Sequence, residues 1–344
     1  MIQQQPKVFI ILVNWNGRDD TLVCLESVRK IDYKNFEVVI VDNGSIDDSV
    51  NIIRKAFPEV PVLETNENLG FAGGNNVGIR YALEHGADYV FLLNNDTVLD
   101  PQILSRFMDA SSCIGQEGIL GAKIYYFAEP NKIWYAGAKW NRKKSHFTHV
   151  GQDCIDDGKK FNTLSETDYA CGCALFVSAR LLQRIGLLDE KYFLTFEETD
   201  LCYRAKKLGW KSYFVPEAKV WHKVSTSFGG GDSPLYSYFL MRNKLLWAKR
   251  NLSFSQRMML YWNVYYELLC YVLPPSLSFR VDKFRNELSL KALHYSFKEC
   301  RAEYANRYRD KNNNPIKKAK FLAVRDYILD RFGNCPDLIR ALGK

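Results

Sequence analysis

The sequence predicts an α/β fold in which helices flank a mostly parallel central sheet, followed by a mainly helical C-terminal extension. Over the first hundred residues, short apolar runs alternate with helix-like segments, a pattern typical of βαβ units and parallel sheets. From Leu235 onward the pattern becomes mainly helical, with clear breaks at Pro274-Pro275 and just before Pro315.

The individual elements follow from these patterns in chain order. Apolar runs bounded by polar turns predict strands at residues 8–13, 36–41, 60–64 and 89–93, and the segments between them predict helices at 21–29, 47–56 and 76–84. In the less regular middle of the chain, apolar runs predict strands at 119–126, 174–178 and 211–215. Helices are predicted at 197–208, ending at Gly209, and at 238–250 and 256–272.

The composition excludes two classes of protein. Of the 344 residues 47% are apolar, which is enough for a packed core of about two domains and too many for a disordered chain. No window reaches the ~18 to 20 unbroken apolar residues of a membrane-spanning helix, and the apolar run after Lys7 is interpreted as a first strand instead of a signal peptide. The nine cysteines have no metal or disulfide spacing, which indicates reduced thiols in a cytoplasmic protein.

The charge is distributed unevenly along the chain. Residues 242–344 contain 21 Lys and Arg but only 9 Asp and Glu, a net charge of +12, whereas the first 241 residues carry −4. A basic section of this kind indicates an anionic partner, such as lipid head groups or nucleic acid, or else a solvated helical face. No nucleic-acid-binding module is recognisable, so nucleic acid is not expected as a partner.

Polar residues follow the predicted strands at the edge where open α/β sheets bind ligands. They include Asn14, Asp42, the glycine-rich segment 66–74 and the segment 94–96. Neither a GxGxxG motif after the first strand nor a P-loop is present, which disfavours two common nucleotide-binding classes. The Asp42 carboxylate is suited to accept hydrogen bonds from a nucleobase or ribose, or it belongs to an ordinary turn. The glycine-rich segment favours either a bound phosphate or a plain loop.

Three further positions in the chain have both a chemical and a structural interpretation. Asp96 is placed to hold a divalent cation through oxygen, or to cap the following segment. Glu197 and Glu198 begin a helix, where acids are stabilised by the helix N-terminus, but either is also placed to act as a base in a cleft. His222, one of five histidines, is a packed residue unless it lies close to Asp96.

The order and spacing of these motifs are more informative than any one of them. In chain order they are Asn14-Trp15-Asn16, Asp42-Asn43-Gly44-Ser45, the segment 68–76, Asn94-Asn95-Asp96, Gly172-Cys173, Phe196-Glu197-Glu198-Thr199-Asp200 with Arg204, and Trp221-His222. Together they resemble the inverting glycosyltransferases of family 2, which have the GT-A fold, and most closely the rhamnosyltransferase-like bacterial subgroup. The resemblance covers roughly residues 7 to 250.

The resemblance implies a role for each matched residue. It implies that Glu198 is the general base and that Asp96 and His222 hold a divalent cation, Mg²⁺ or Mn²⁺. Gly172 and Glu197 are expected on the acceptor side. The residues expected to line the nucleotide sugar are Asn14, Asp42, Asn68, Gly70, Asn76 and Asn95. Asn94 departs from the commonest form of the family's DxD motif and removes one carboxylate from the cation site.

The expected function is therefore metal-dependent, inverting transfer of a hexosyl group. The subgroup suggests rhamnose, a dTDP- or UDP-sugar donor, and a glycan or lipid-linked hydroxyl acceptor in the synthesis of cell-surface polysaccharide or glycolipid. The alternative is a non-catalytic protein that binds sugar nucleotides or polysaccharide.

The expected domains are a glycosyltransferase domain at 1–250 and a basic helical extension at 251–344. Within the first domain, residues 1–115 form the nucleotide-sugar half and residues 116–250 the acceptor half. The apolar segment 258–273 of the extension, flanked by basic segments, suits a helix lying in the interface of an anionic membrane, or one packed on the enzyme body or a second subunit. The expected location is cytoplasmic, with peripheral contact to the inner face of the cell membrane.

Overall fold

A computed structural model describes residues 5–115, 117–142, 145–224, 233–272 and 314–342. The chain divides into two compact units, Met1–Thr226 with Phe332–Asn334, and Ser227–Arg331 with Cys335–Lys344. The domain boundary expected at residue 250 therefore falls inside the second unit.

The first unit begins with alternating strands and helices. They are β1 (Val8–Asn14), α1 (Arg18–Val28), β2 (Phe36–Asp42), α2 (Ser49–Ala56), β3 (Val62–Glu64), α3 (Gly70–Glu84), β4 (Tyr89–Asn94), β5 (Thr97–Leu99) and α4 (Ile103–Ile114). The unit continues with β6 (Gly118–Tyr126), β7 (Ile133–Tyr135), β8 (Ala138–Asn141), β9 (His146–His149), β10 (Ser165–Thr167), β11 (Ala174–Ser178), α5 (Ala179–Ile185), α6 (Glu197–Lys207) and β12 (Lys211–His222).

Among the described residues the central sheet has ten strands, ordered β10-β12-β6-β11-β4-β1-β2-β3, with β5 paired to β12 and β7 to β6. Strand β1 runs parallel to both β2 and β4, β2 is parallel to β3, and β6 is parallel to β12. Strand β11 runs antiparallel between β4 and β6. The predicted α/β fold with a largely parallel sheet is confirmed. The chain order reverses beside β1, and open α/β sheets bind ligands at such a point.

Helix α3 begins at Gly70, six residues before the predicted start, so the prediction of a loop through residue 75 is wrong. The glycines lie inside the helix because α3 packs closely on β1. A Cβ atom at Gly78 would lie 2.4 Å from Ile11, and one at Gly74 would lie 2.9 Å from Val13. These glycines therefore allow close packing of the helix on the sheet.

Strand β12 continues seven residues beyond its predicted end at Val215. Its pairing with β6 shifts register between Val215 and Lys219, a segment that contains Pro216. Proline cannot donate to a strand ladder and is accommodated at such irregularities. Beyond the shift the strand pairs with β5, which places His222 opposite Thr97.

The described part of the second unit is helical, as the sequence predicts. Its helices are α7 (Pro234–Asn251), α8 (Phe254–Val272), α9 (Pro315–Ile328) and α10 (Asp337–Ala341). Helix α7 packs on α9, where the Tyr238 hydroxyl donates a hydrogen bond of 2.8 Å to the buried Asp326 carboxylate. Within the described ranges, no helix combines the length and apolar character needed to cross a bilayer.

In the first unit, Arg204 of α6 holds the end of α5 and the residues that follow it by hydrogen bonds. Its Nε donates to Asp200 at 2.8 Å, and its terminal nitrogens donate to the carbonyls of Ile185, Gly186 and Leu187. The Asp200 carboxylate is buried and also accepts a hydrogen bond from the Tyr192 hydroxyl. The Asp200 side chain therefore has a structural role.

Replacing Arg204 by Met should destabilise the full chain by about 3 kcal/mol, because it leaves a buried carboxylate without its cation. The comparison is Arg106→Met on the surface of α4, where the ion pair to Asp109 is exposed and worth at most ~0.5 kcal/mol. Thermal unfolding of both variants measures the difference. Equal shifts in Tm would show that Arg204 does not have this role.

Candidate active site

The ends of β1 and β2 carry a hydrogen-bonded amide and carboxylate. Asn14 and Asp42 are register partners, and the Asn14 Nδ2 donates to Asp42 Oδ2 at 2.8 Å. The other oxygen, Oδ1, accepts from the Ser45 backbone N–H at 2.9 Å. Both side chains are buried. Two residues predicted to line the nucleotide sugar therefore lie in direct contact at the sheet edge.

Asn95 joins the same network through Thr21 of α1. The Thr21 hydroxyl donates to Asn14 Oδ1 at 2.9 Å, and the Asn95 Nδ2 donates to the Thr21 oxygen at 2.8 Å. Thr21 was not predicted as a site residue, because a threonine in the first turn of a helix has no distinguishing local signal. Its importance follows only from its position between Asn14 and Asn95.

Asn68 and Gly70 belong to a turn that meets a segment from the second half of the unit. Asn68 Oδ1 accepts from the Gly70 backbone N–H at 2.8 Å. Gly70 has φ +73°, and a Cβ atom there would lie 2.4 Å from the Phe193 carbonyl oxygen, so only glycine fits. The Ala72 N–H donates to that same oxygen at 3.3 Å. This helix-start amide is therefore engaged by protein, and not open to a phosphate.

Asn76 lies apart from the Asn14–Asp42 network. Its Nδ2 donates to the Leu188 carbonyl and to Glu190 Oε1, both at 2.9 Å, and its Oδ1 accepts from the Leu188 N–H at 3.0 Å. The side chain is buried. The structure thus gives Asn76 an anchoring contact with residues 188–190, and its contact with a nucleotide stays a prediction.

Asp96 and His222 meet as the sequence analysis required. The His222 Nε2 lies 3.1 Å from Asp96 Oδ1 and 3.3 Å from Asn94 Nδ2, and both Asp96 and His222 are buried. The Trp134 ring of β7 packs edge-on against the imidazole, with 5.2 Å between ring centroids. Trp134 was missed, because only folding brings it to His222.

A carboxylate oxygen and an imidazole nitrogen that converge in a buried site are a donor set suited to a divalent transition metal. In the part of the chain that the structure describes, no group of three His, Cys, Asp or Glu comes together to hold a metal. These residues therefore fit a cation for which the protein supplies two ligands, and the remaining ligands would come from elsewhere.

Glu197 and Glu198, at the start of α6, form a pair of acids with unequal surroundings. Burial, together with the neighbouring Glu198 charge, raises the pKa of Glu197 well above its usual range. Burial also raises the pKa of Glu198, but backbone N–H groups, including that of Gly172, donate to its carboxylate and oppose the rise. Environments that separate two pKa values assign different roles to the two acids. The backbone N–H groups at Glu198 favour its charged form, whereas the Glu198 charge disfavours the charged form of Glu197.

Gly172 connects this pair with the end of β4. A Cβ atom at Gly172 would lie 3.3 Å from the Phe71 ring and 3.5 Å from the Glu198 Cβ. The next residue, Cys173, accepts a hydrogen bond of 2.9 Å from the Asn94 N–H through its carbonyl. The segment 171–173 therefore contacts Glu198 at one residue and Asn94 at the next.

The backbone just before Glu197 is strained. Phe193, Thr195 and Phe196 have φ values of 62°, 66° and 73°, in the left-handed region that favours glycine. Such residues cost about 1–3 kcal/mol each and occur where the surroundings dictate the geometry. Here Phe193 and Phe196 are buried and the Phe193 carbonyl is bound by Ala72, so this segment ties the start of α6 to α3.

Comparisons with known proteins agree with the fold and with the order of motifs. The family model for Glycosyl transferase family 2 matches residues 9–182, just over half of the chain. The dTDP-rhamnosyl transferase RfbF of Shigella flexneri is 26% identical over 261 residues, which cover 71% of this chain and 80% of RfbF. An N-acetylglucosaminyl-diphospho-decaprenol L-rhamnosyltransferase of Mycobacterium tuberculosis is 27% identical over 217 residues, 56% of this chain and 68% of that protein.

Two solved structures are similar in fold. The mannosyltransferase PcManGT from Pyrobaculum calidifontis, in complex with GDP-Man and Mn²⁺, has a TM-score of 0.57 at 14% identity, over 96% of this chain and 89% of its own. GalNAc-T7 with UDP, GalNAc and Mn²⁺ has a TM-score of 0.58 at 15% identity. The match covers 71% of this chain and 48% of the GalNAc-T7 chain. The resemblance inferred from the motifs is confirmed: the chain belongs to glycosyl transferase family 2 and is a glycosyltransferase with the GT-A fold.

Proposed function

We propose that this glycosyltransferase moves a sugar from a nucleoside diphosphate to an acceptor hydroxyl in one step, with inversion at the anomeric carbon. The observation that carries the proposal is the pair of acids at the start of α6. Burial raises the pKa of both acids, backbone N–H groups favour the charged form of Glu198, and the segment 171–173 links Glu198 to the end of β4. No protein nucleophile is needed for a single displacement.

Glu198 supplies the base. One of its oxygens, Oε2, has no hydrogen-bond partner among the described residues, while Gly172 fixes the carboxylate from the backbone. The carboxylate takes the proton of the acceptor hydroxyl as that oxygen forms its bond to the anomeric carbon. The bond from that carbon to the donor phosphate oxygen breaks, and the nucleoside diphosphate leaves with the electron pair.

Asp96 and His222 are the residues that would hold a divalent cation. A bound cation would neutralise charge on the departing diphosphate. The donor set of carboxylate and imidazole favours Mn²⁺ modestly over Mg²⁺. Support comes from the 3.1 Å approach of the two side chains and from the Mn²⁺ in the two similar structures. With Asn94 in place of an acid, binding depends mainly on Asp96 and on the donor.

The donor side is the network of Asn14, Asp42 and Asn95 at the sheet edge, with Asp42 assigned to the nucleobase. We assign a dTDP- or UDP-sugar, with rhamnose as the first candidate, because one relative is a dTDP-rhamnosyl transferase and a similar structure holds UDP. The acceptor is proposed to be a glycan or a lipid-linked sugar, since another relative acts on a diphospho-decaprenol compound. Gly172 and Glu197 lie on this acceptor side.

Glu198→Gln should lower sugar transfer by about 10²–10⁴-fold and leave donor affinity nearly unchanged, because the amide keeps the shape but cannot take a proton. Transfer and donor binding are measured separately, by turnover of the donor and by calorimetry. The matched control is Glu217→Gln at an exposed position of β12, which should keep full activity. Normal turnover in the Glu198 variant would remove this residue from the mechanism.

The pH dependence of transfer should report the raised pKa of Glu198. Only the deprotonated carboxylate accepts a proton, so kcat/KM should fall as the pH is lowered through that pKa. Because burial raises it, the acid limb should have its midpoint above the ordinary value of 4.5. A pH profile of kcat/KM locates this limb. A midpoint at or below 4.5 would contradict the assignment of the base.

Asp96→Ala should weaken donor binding at least about tenfold in the presence of Mn²⁺ and have little effect in the presence of a chelator, because it removes a ligand. A thermal-shift panel of UDP-, dTDP- and GDP-sugars, with and without Mn²⁺, identifies the donor and measures the effect. Asp109→Ala, at an exposed position of α4, serves as the control. Donor binding that is the same with and without Mn²⁺ would exclude the cation site.

A further inference from the structure

Helix α8 of the second unit presents a continuous apolar face. Phe254, Met258, Trp262 and Tyr265 are 69%, 42%, 64% and 55% exposed, respectively. Their spacing of four, four and three residues places them on one side of the helix. The Trp262 and Tyr265 rings lie 6.1 Å apart, measured between centroids. Large side chains of this kind rarely form a contiguous exposed stripe without a partner.

Other residues of α8 hold the helix against its neighbours. Leu260 and Val264 are buried, and the Tyr261 hydroxyl lies 2.9 Å from the Tyr327 hydroxyl of α9. The contact to α9 is made within the second unit. Among the described residues, these contacts attach α8 without using the four exposed side chains.

The charge near the four exposed side chains indicates what kind of partner they would contact. From Lys249 to the end of α8 at Val272 the chain contains three basic residues, Lys249, Arg250 and Arg257, and one acid, Glu267. Lys249 and Arg250 are exposed in the last turn of α7, shortly before α8 begins at Phe254. A second copy of the chain would bring the same positive charge to the contact, whereas an anionic lipid surface would attract it.

We infer that the face formed by Phe254, Met258, Trp262 and Tyr265 inserts into the interface of an anionic lipid membrane. The helix lies in the membrane plane, with its aromatic rings among the head groups and the upper acyl chains, and with Lys249 and Arg250 at the phosphates. Trp and Tyr are the residues that favour this depth. The sequence analysis expects this contact at residues 258–273, whereas the exposed face begins four residues earlier, at Phe254, and ends at Tyr265; Leu273 lies outside the described residues. The inference goes beyond the proposed sugar transfer and does not depend on it.

The test is cosedimentation of the full chain with vesicles of phosphatidylcholine, with and without phosphatidylglycerol. Wild type should bind the anionic vesicles and lose binding as salt is raised. The double change Phe254→Ser, Trp262→Ser should lower the partition coefficient about a hundredfold, because each large side chain contributes about tenfold. The matched control is Leu208→Ser, which removes an exposed apolar side chain from the first unit and should bind like wild type.

Several results would overturn the inference. Unchanged vesicle binding of the double variant would show that another surface binds lipid. Absence of binding by wild type would exclude an anionic membrane as the partner of this face. Analytical ultracentrifugation would then separate two explanations. A dimer lost in the double variant means that a second copy covers the face, and a monomeric wild type points to residues of the same chain. Circular dichroism checks the fold of the variant. Transfer to a water-soluble acceptor is a separate readout, and its loss would concern the proposed function alone.

Discussion

The hydrogen bond between the Asn14 amide and the Asp42 carboxylate is the constraint on which the sheet edge of this glycosyltransferase depends, at the place proposed for the donor. Both side chains are buried at the ends of neighbouring parallel strands, and buried polar groups must find partners. The parallel register of β1 and β2 brings them together, and Thr21 extends the network to Asn95. This network is thus positioned by the pairing of two strands and by one residue of α1.

Two longer connections bring residues from later in the chain to the same sheet edge. Strand β12 continues past an irregularity at Pro216 and so delivers His222 to Asp96, more than 120 residues away in sequence. The segment 171–173 contacts both Glu198 and Asn94 through its backbone. The start of α6 and the end of β4 are therefore linked by one short backbone segment.

The α/β alternation and the strands at the sheet edge were predicted from hydrophobic periodicity, which is a local signal, and the approach of His222 to Asp96 was implied by the family resemblance. Prediction failed where side chains of distant segments decide the outcome. The glycines before Asn76 were interpreted as a phosphate-binding segment or a plain loop, but Gly74 lies inside α3 and, with Gly78, allows this helix to pack on Val13 and Ile11. Thr21 and Trp134 were missed for the same reason: their roles arise only when α1 and β7 are folded against residues far away in the chain.

The left-handed backbone at Phe193, Thr195 and Phe196 has a consequence for engineering this enzyme. Glycine at Thr195 would relieve local strain, and a search for heat-resistant variants would favour changes of this type. Such a variant would also loosen the link from Ala72 to the start of α6, where the two acids are held. At this segment, a change that raises thermal stability would also disturb the position of the two acids. Stabilising substitutions are therefore better sought elsewhere in the fold.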